Sequence, residues 1–404
     1  MKKVYLVTVL TCLFVVAVSY GLHFLYWEED NEKVLKVGMV CVYDESSAYT
    51  GNFTRSIEFL EEEYGDRIEI LTKYNVPEDE AILKEAVQEL VNQGCEIIFG
   101  TSYGYEYILL QYAENYPEIQ FCQATGDNCS SETPPNYHTF MGMIYEGRYA
   151  AGVVAGMKLE ELIQKGEIRA EEAKVGYVAA FPYAEVISGY TSFLLGVRSV
   201  VPTAVMDVKY TNTWGDYFVE KNMAEDLIEG GCIIISQHSD TIGPAVACEE
   251  LGKTHTVYHV GYNRSMIDVA PTTTLVGSRI NWYPYIVDAV GALLKGKKIE
   301  EYVKAKRIFG NDSAGGFEEN WVEMLELNTV TCAPGTKAEL DKVKQRLMRG
   351  EIKVFQGNYV GVNPFNPADT YDLSNGFDEN AHRSSPEFGY VLKDVITILD
   401  DEEF

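Results

Sequence analysis

Aromatic rings recur where the apolar runs of this chain end. Tyr49 follows the run 37–42, Tyr103 follows 96–101, Trp214 follows 205–210, and Trp282 stands where the chain crosses back after 276. Polar residues share that placement: Thr50 beside Tyr49, Gln237 and Asp240 at the end of the run 232–237, and Asn263 directly after 257–262. A ring at a strand end offers a face on which a flat ligand can stack, and an amide or carboxylate at its rim can read the ligand's edge. Stacking a base on one aromatic side chain is worth about 1–3 kcal/mol, so two rings supply roughly 2–6 kcal/mol. Micromolar binding needs about 8 kcal/mol, and polar contacts must provide the remainder. The ordinary alternative for each ring is core packing. Trp282 fits that reading equally well, whereas Tyr49 and Trp214 each follow a strand directly.

Catalytic readings are weaker. His238-Ser239-Asp240 contains the residue types of a hydrolytic triad, but triad members converge in space and are not expected as chain neighbours. Gly100-x-x-x-Gly104 lacks the Gly-Lys-Ser/Thr ending of a phosphate loop. A nucleoside hydrolase needs more carboxylates near the first strand than Asp44-Glu45. The eight cysteines show no CxxC and no Cys/His spacing suited to zinc, so neither a metal nor a cofactor is expected. Cys122 and Cys129 are the pair placed to bridge a loop in an oxidising compartment. With 33 basic against 61 acidic residues the formal charge is −28. That field opposes nucleic acid, whose binding depends on Lys/Arg neutralising phosphates, and a charged nucleotide is expected to be rejected.

The elements that would position these residues alternate. Strand-like runs at 37–42, 68–72, 96–101 and 119–124 are separated by helical patterns at 50–64, 81–93 and 104–115. The alternation restarts after a small-residue helix at 145–163, with runs at 174–181, 205–210, 232–237 and 257–262. Strands alternating with helices indicate parallel sheets. Two such doubly wound α/β lobes would face each other across a ligand cleft at the carboxyl ends of their strands. The expected organisation is 34–143 plus about 281–300 in lobe 1, and 144–280 plus about 301–355 in lobe 2, with 356–404 as a tail packed on the lobes. Ahead of them, Lys2 and Lys3 precede an uncharged run from 4 to 27 that stops at Glu28-Glu29-Asp30. This segment reads as a signal or membrane anchor, long enough to span a bilayer at about 20 residues, and its charge asymmetry leaves the rest of the chain outside. Cys12 lacks the small preceding residue of a lipidation site.

Several segments occur in an order that identifies a family: Gly100-Thr101-Ser102-Tyr103-Gly104-Tyr105, Tyr145-Glu146-Gly147-Arg148-Tyr149-Ala150-Ala151-Gly152, Gly176-Tyr177-Val178-Ala179-Ala180-Phe181-Pro182, Asn212-Thr213-Trp214 and Gln237-His238-Ser239-Asp240. Over about residues 35–355 the chain resembles the basic membrane protein family of ABC-transporter substrate-binding proteins, related to purine nucleoside receptor lipoproteins. The resemblance implies a type I periplasmic-binding-protein fold and capture of a purine nucleobase or nucleoside for ABC permease subunits. It places Tyr49 and Trp214 at the two stacking positions, Asn281-Trp282 at a lobe crossing, and Gln237 and Asp240 among the polar contacts. Three departures bear on base or ribose hydrogen bonds. Gly261-Tyr262-Asn263-Arg264-Ser265 lacks two carboxylates, Asp44-Glu45-Ser46-Ser47-Ala48 alters the spacing of the acidic first loop, and Gly315-Gly316-Phe317 lacks a lysine. A membrane-tethered sensing ectodomain with no transport role is the alternative function.

Overall fold

Continuous apolar runs become strands buried on both faces. In the computed structural model, which describes residues 34–399, β1 (Leu35–Val40) is buried at five of six positions. The N-terminal expectations for 1–33, Cys12 among them, lie outside the described residues. The first series continues as β2 (Ile68–Lys73), β3 (Ile97–Gly100), β4 (Gln120–Ala124) and β5 (Tyr137–Gly142). The second comprises β6 (Lys174–Ala179), β7 (Val205–Tyr210), β8 (Ile234–His238), β9 (Tyr258–Tyr262) and β10 (Thr274–Ile280). Then come β11 (Lys306–Phe309), β12 (Asp312–Gly315), β13 (Val322–Met324), β14 (Val360–Asn363), β15 (Asn366–Asp372), β16 (Val391–Leu392) and β17 (Ile396–Ile398).

Two seven-stranded sheets result, ordered β11-β12-β5-β4-β3-β1-β2 and β13-β10-β9-β8-β6-β7-β17, with a small sheet β15-β14-β16. All pairings in the two large sheets are parallel except β11–β12 and β10–β13. Strand β1 pairs with both β2 and β3, and β6 with both β7 and β8. Those strands are the points where strand order reverses, and open α/β sheets bind ligands at the carboxyl ends there.

The lobe boundaries differ in part from the expectation. Strands β11 and β12, within the 301–355 stretch assigned to lobe 2, belong to the first sheet, because β12 lies parallel to β5 with Thr139 opposite Asp312. The chain therefore crosses between lobes near 142–144, 280–282 and 315–322. The tail is also more ordered than its composition indicates, since β17 extends the second sheet along β7. Within the second lobe, helix Ile144–Gln164 packs on helix Ala184–Arg198 at backbone contact. A Cβ on Gly152 would lie 2.1 Å from the Phe193 carbonyl oxygen, and one on Gly196 2.1 Å from that of Tyr149. The small residues of the helix are thus needed inside this lobe.

Candidate ligand cleft

Three residues that leave the strands in left-handed backbone shape the site. Thr125 after β4, Asn212 after β7 and Asn263 after β9 have φ of 64°, 54° and 63°. Asn tolerates this region, whereas a β-branched Thr is strained there by roughly 1–3 kcal/mol. Thr125 and Asn263 line a space of about 490 Å³, part of it open to solvent, together with Tyr43, Tyr49, Ser102 and Tyr103 from the first lobe. Glu185, Trp214, His238, Asp240, Tyr262 and Asn263 line it from the second.

Tyr49 lies in the first turn of helix Ala48–Tyr64, which Ser47 caps by accepting from the Thr50 N–H. Its hydroxyl donates to the Thr101 carbonyl at 2.5 Å, and its ring meets Phe53 and Trp282 edge-on at 5.3 and 6.4 Å. Trp214 is held on the other side by Phe181 at 5.2 Å and Tyr183 at 6.3 Å, and its carbonyl accepts from the Asp240 N–H at 2.8 Å. An amide relay at the cavity joins the lobes. Asn52 Nδ2 donates to Asn263 Oδ1 at 3.3 Å, and Asn263 Nδ2 donates to Asp240 Oδ1 at 3.2 Å.

The electrostatics of the rim are set by burial. Desolvation pushes the Asp240 carboxyl up to about 7, the nearby Glu220 charge adds to the rise, and the Asn263 bond opposes it. Burial likewise raises Glu220 to about 6, against the bonds it accepts from Ser239 and Thr241. His238, 3.6 Å from Glu185, is held below its ordinary value by burial and then by Arg148, so its imidazole is neutral at neutral pH. The Arg148 guanidinium lies 3.6 Å from the centre of the Tyr262 ring and donates to the Gln237 carbonyl at 2.9 Å. It is a buried cation beneath a carboxylate-rich rim.

Of the residues singled out from the sequence, Tyr49, Tyr103, Trp214, Asp240 and Asn263 meet at the cavity. Thr50, Gln237 and Trp282 do not line it. Thr50 is fully buried on another face of its helix. Gln237 braces a loop by donating to the Ser239 and Thr241 carbonyls, while its Oε1 meets His259 at 3.0 Å. Trp282 is a core residue, stacked on Phe53 at 4.6 Å and edge-on to Phe140 at 5.6 Å. Tyr43, Ser102, Thr125, Glu185, His238 and Tyr262 were not anticipated. Strand-end position was the available signal for Ser102, Thr125, His238 and Tyr262.

The triad-like residues are not assembled: Ser239 donates to Glu220 at 2.8 Å and is buried. Glu146 accepts from the Phe317 N–H at 2.8 Å, so it braces a lobe crossing. Cys122 and Cys129 are free thiols, as are the other cysteines among the described residues. No group of three or more His, Cys, Asp or Glu placed to hold a metal occurs among the described residues.

Two doubly wound lobes facing a cavity form the type I periplasmic-binding-protein-like fold. A solved solute-binding protein of an Aeropyrum pernix ABC transporter superposes with a TM-score of 0.64 at 14% identity, covering 79% of this chain and 92% of that one. The chain belongs to the Bmp family of PnrA-like ABC transporter substrate-binding proteins, whose model matches residues 36–354. That family is one of solute-binding proteins, not of enzymes, and it works outside the cytoplasm. A purine-binding protein of Brucella abortus is 29% identical over 327 residues, covering 81% of this chain and 84% of that protein. A Haloferax volcanii protein provisionally named as an ABC transporter glucose-binding protein is 29% identical over 302 residues, covering 74% and 67%. Among the described residues no helix is long and apolar enough to cross a membrane.

Proposed function

We propose that the protein captures a purine nucleobase or nucleoside outside the cell membrane and presents it to ABC permease subunits, with residues 1–33 serving as export signal or tether. The observation that carries this reading is the placement of Tyr49 and Trp214 on opposite lobes of one cavity, Tyr49 in the first turn of the helix that follows β1 and Trp214 in the loop that follows β7. A flat ligand between them touches both lobes at once. A ligand favours closure only through contacts that differ between open and closed states, and such a sandwich supplies them. Asp240 and Asn263 lie at the rim, where an amide offers donor and acceptor and a carboxyl near neutrality can do either. These are the groups needed to read the ring nitrogens and exocyclic groups of a purine. A phosphate would meet Glu185 and Asp240, while Arg148 lies buried behind Tyr262 and does not line the cavity, so nucleotides are expected to be rejected.

The name of the Brucella abortus relative points the same way. Sugars also stack on aromatic rings, so glucose belongs among the test ligands. Calorimetric titration with adenine, adenosine, guanosine, inosine, glucose, ribose and adenosine monophosphate decides the question. Micromolar or tighter binding of a base or nucleoside, with ribose, glucose and the nucleotide silent, is the expected result. Silence across the purines refutes the purine assignment.

A further inference from the structure

The family match ends at residue 354, but the described chain continues to 399. Much of this extension is built into the second lobe. Strand β17 pairs with β7, Met206 N–H donates to the Val395 carbonyl at 2.9 Å, and Leu399 N–H donates to that of Val208 at 2.8 Å. Phe355, on which Phe388 stacks at 4.5 Å, meets the Tyr145 ring at 5.6 Å, and the Tyr145 hydroxyl donates to Asn380 at 3.2 Å. From this base the segment 378–388 reaches across to the first lobe. Arg383 Nη1 donates to Asp127 Oδ2 at 2.9 Å, and the Ser384 N–H donates to Asp312 Oδ2 at 2.6 Å. Asp312 is 3% exposed, and its other oxygen accepts from Thr139 at 2.7 Å. A buried carboxylate of one lobe is therefore satisfied by the backbone of a segment fixed to the other.

The same segment walls the cleft. Arg383, Ser385 and Pro386, with Phe365 from the β14–β15 turn, line about 910 Å³ of space outside the cavity. That space shares Tyr103, Thr125, Glu185 and Trp214 with the inner cavity, so a ligand leaving the slot on this side passes the extension.

We propose that residues 378–388 form a strap that ties the two lobes at the cleft mouth, with Arg383 as the side chain that sets how long the cleft stays shut. Opening must break the Arg383–Asp127 pair and leave the Asp312 carboxylate without its Ser384 donor, and an unmade bond to a buried charge is costly. The strap lowers the open population before any ligand arrives. Pre-populating the binding-competent state raises apparent affinity, and the gain appears mainly as slower release.

The test uses the full chain and three variants, Arg383→Ala, Asp127→Asn and Ser384→Pro, the last removing the backbone donor. Small-angle X-ray scattering of ligand-free protein is expected to show a larger radius of gyration in each variant than in the wild type. For whichever ligand the titration identifies, stopped-flow release should quicken about tenfold for Arg383→Ala. Unchanged scattering in Arg383→Ala and Asp127→Asn overturns the strap even if Ser384→Pro fails to fold. Because that readout needs no ligand, it stands apart from the purine assignment, which rests on the titration alone.

Discussion

Replacing Asp240 with Asn tests the electrostatic reading of the rim. Burial and the neighbouring Glu220 hold the Asp240 carboxyl at about 7, against an ordinary 3.8. A shift of about 3 units corresponds to roughly 4 kcal/mol of preference for the protonated form. The sign follows from linkage. Because the folded value is raised, Asp240 favours folding fully below about pH 4, and that contribution is lost as pH rises through about 7. At about pH 5.5 some 1.5 units of the shift remain, about 2 kcal/mol, and at about pH 8.5 almost none. Asn has the same shape, can still accept from Asn263, and carries no charge at either pH. Urea unfolding of ligand-free wild type and Asp240→Asn at both pH values, with equal denaturant slopes, gives the two differences. The advantage of the variant should shrink by about 2 kcal/mol between about pH 8.5 and about pH 5.5. A difference that stays constant across that range would show that Asp240 remains ionised, and the argument from burial would fail.

Trp214→Ala removes one stacking face, worth about 1–3 kcal/mol. Calorimetry should show purine affinity about 5- to 150-fold weaker, with the unfolding midpoint little changed because the ring is only partly buried, at the cavity. Trp282→Ala should behave oppositely, losing about 3–5 kcal/mol of stability by denaturation, since its ring is buried against Phe53 and Phe140. Gly152→Ala drives a methyl to 2.1 Å from a carbonyl oxygen and should cost at least about 1–3 kcal/mol, visible as a lowered thermal midpoint.

The alternation of strands and helices was legible because most of the parallel strands are continuous apolar runs. Helix Glu80–Asn92 announced itself through apolar spacing, and Asp79 caps it by accepting from the Ala81 and Ile82 N–H groups. Strand β5 was not legible. Its sequence Tyr-His-Thr-Phe-Met-Gly mixes polar with apolar residues, yet all six are buried. His138 bonds to Glu300 and Thr139 to Asp312, partners more than 160 positions away, so the burial of polar groups was licensed by contacts no local pattern carries. Strand β12, Asp-Ser-Ala-Gly, escaped for the same reason. In the site, the segments that follow the strands located the rings, but helical phase separated Tyr49 from its neighbour Thr50. Adjacent helical residues point about 100° apart, so one faces the cleft and the other the core.

Neither large sheet is a continuous stretch of chain, and this governs how the molecule can be made. Strand β5 keeps an open edge until β12 pairs with it, and β7 until β17 does. Such edges are templates for pairing with other chains, and contacts this distant in sequence slow folding. A chain emerging from its amino end holds both edges bare until residues 312–315 and 396–398 have followed. Loss of the last strand would thus harm the yield of soluble protein before it harmed any property of the finished fold.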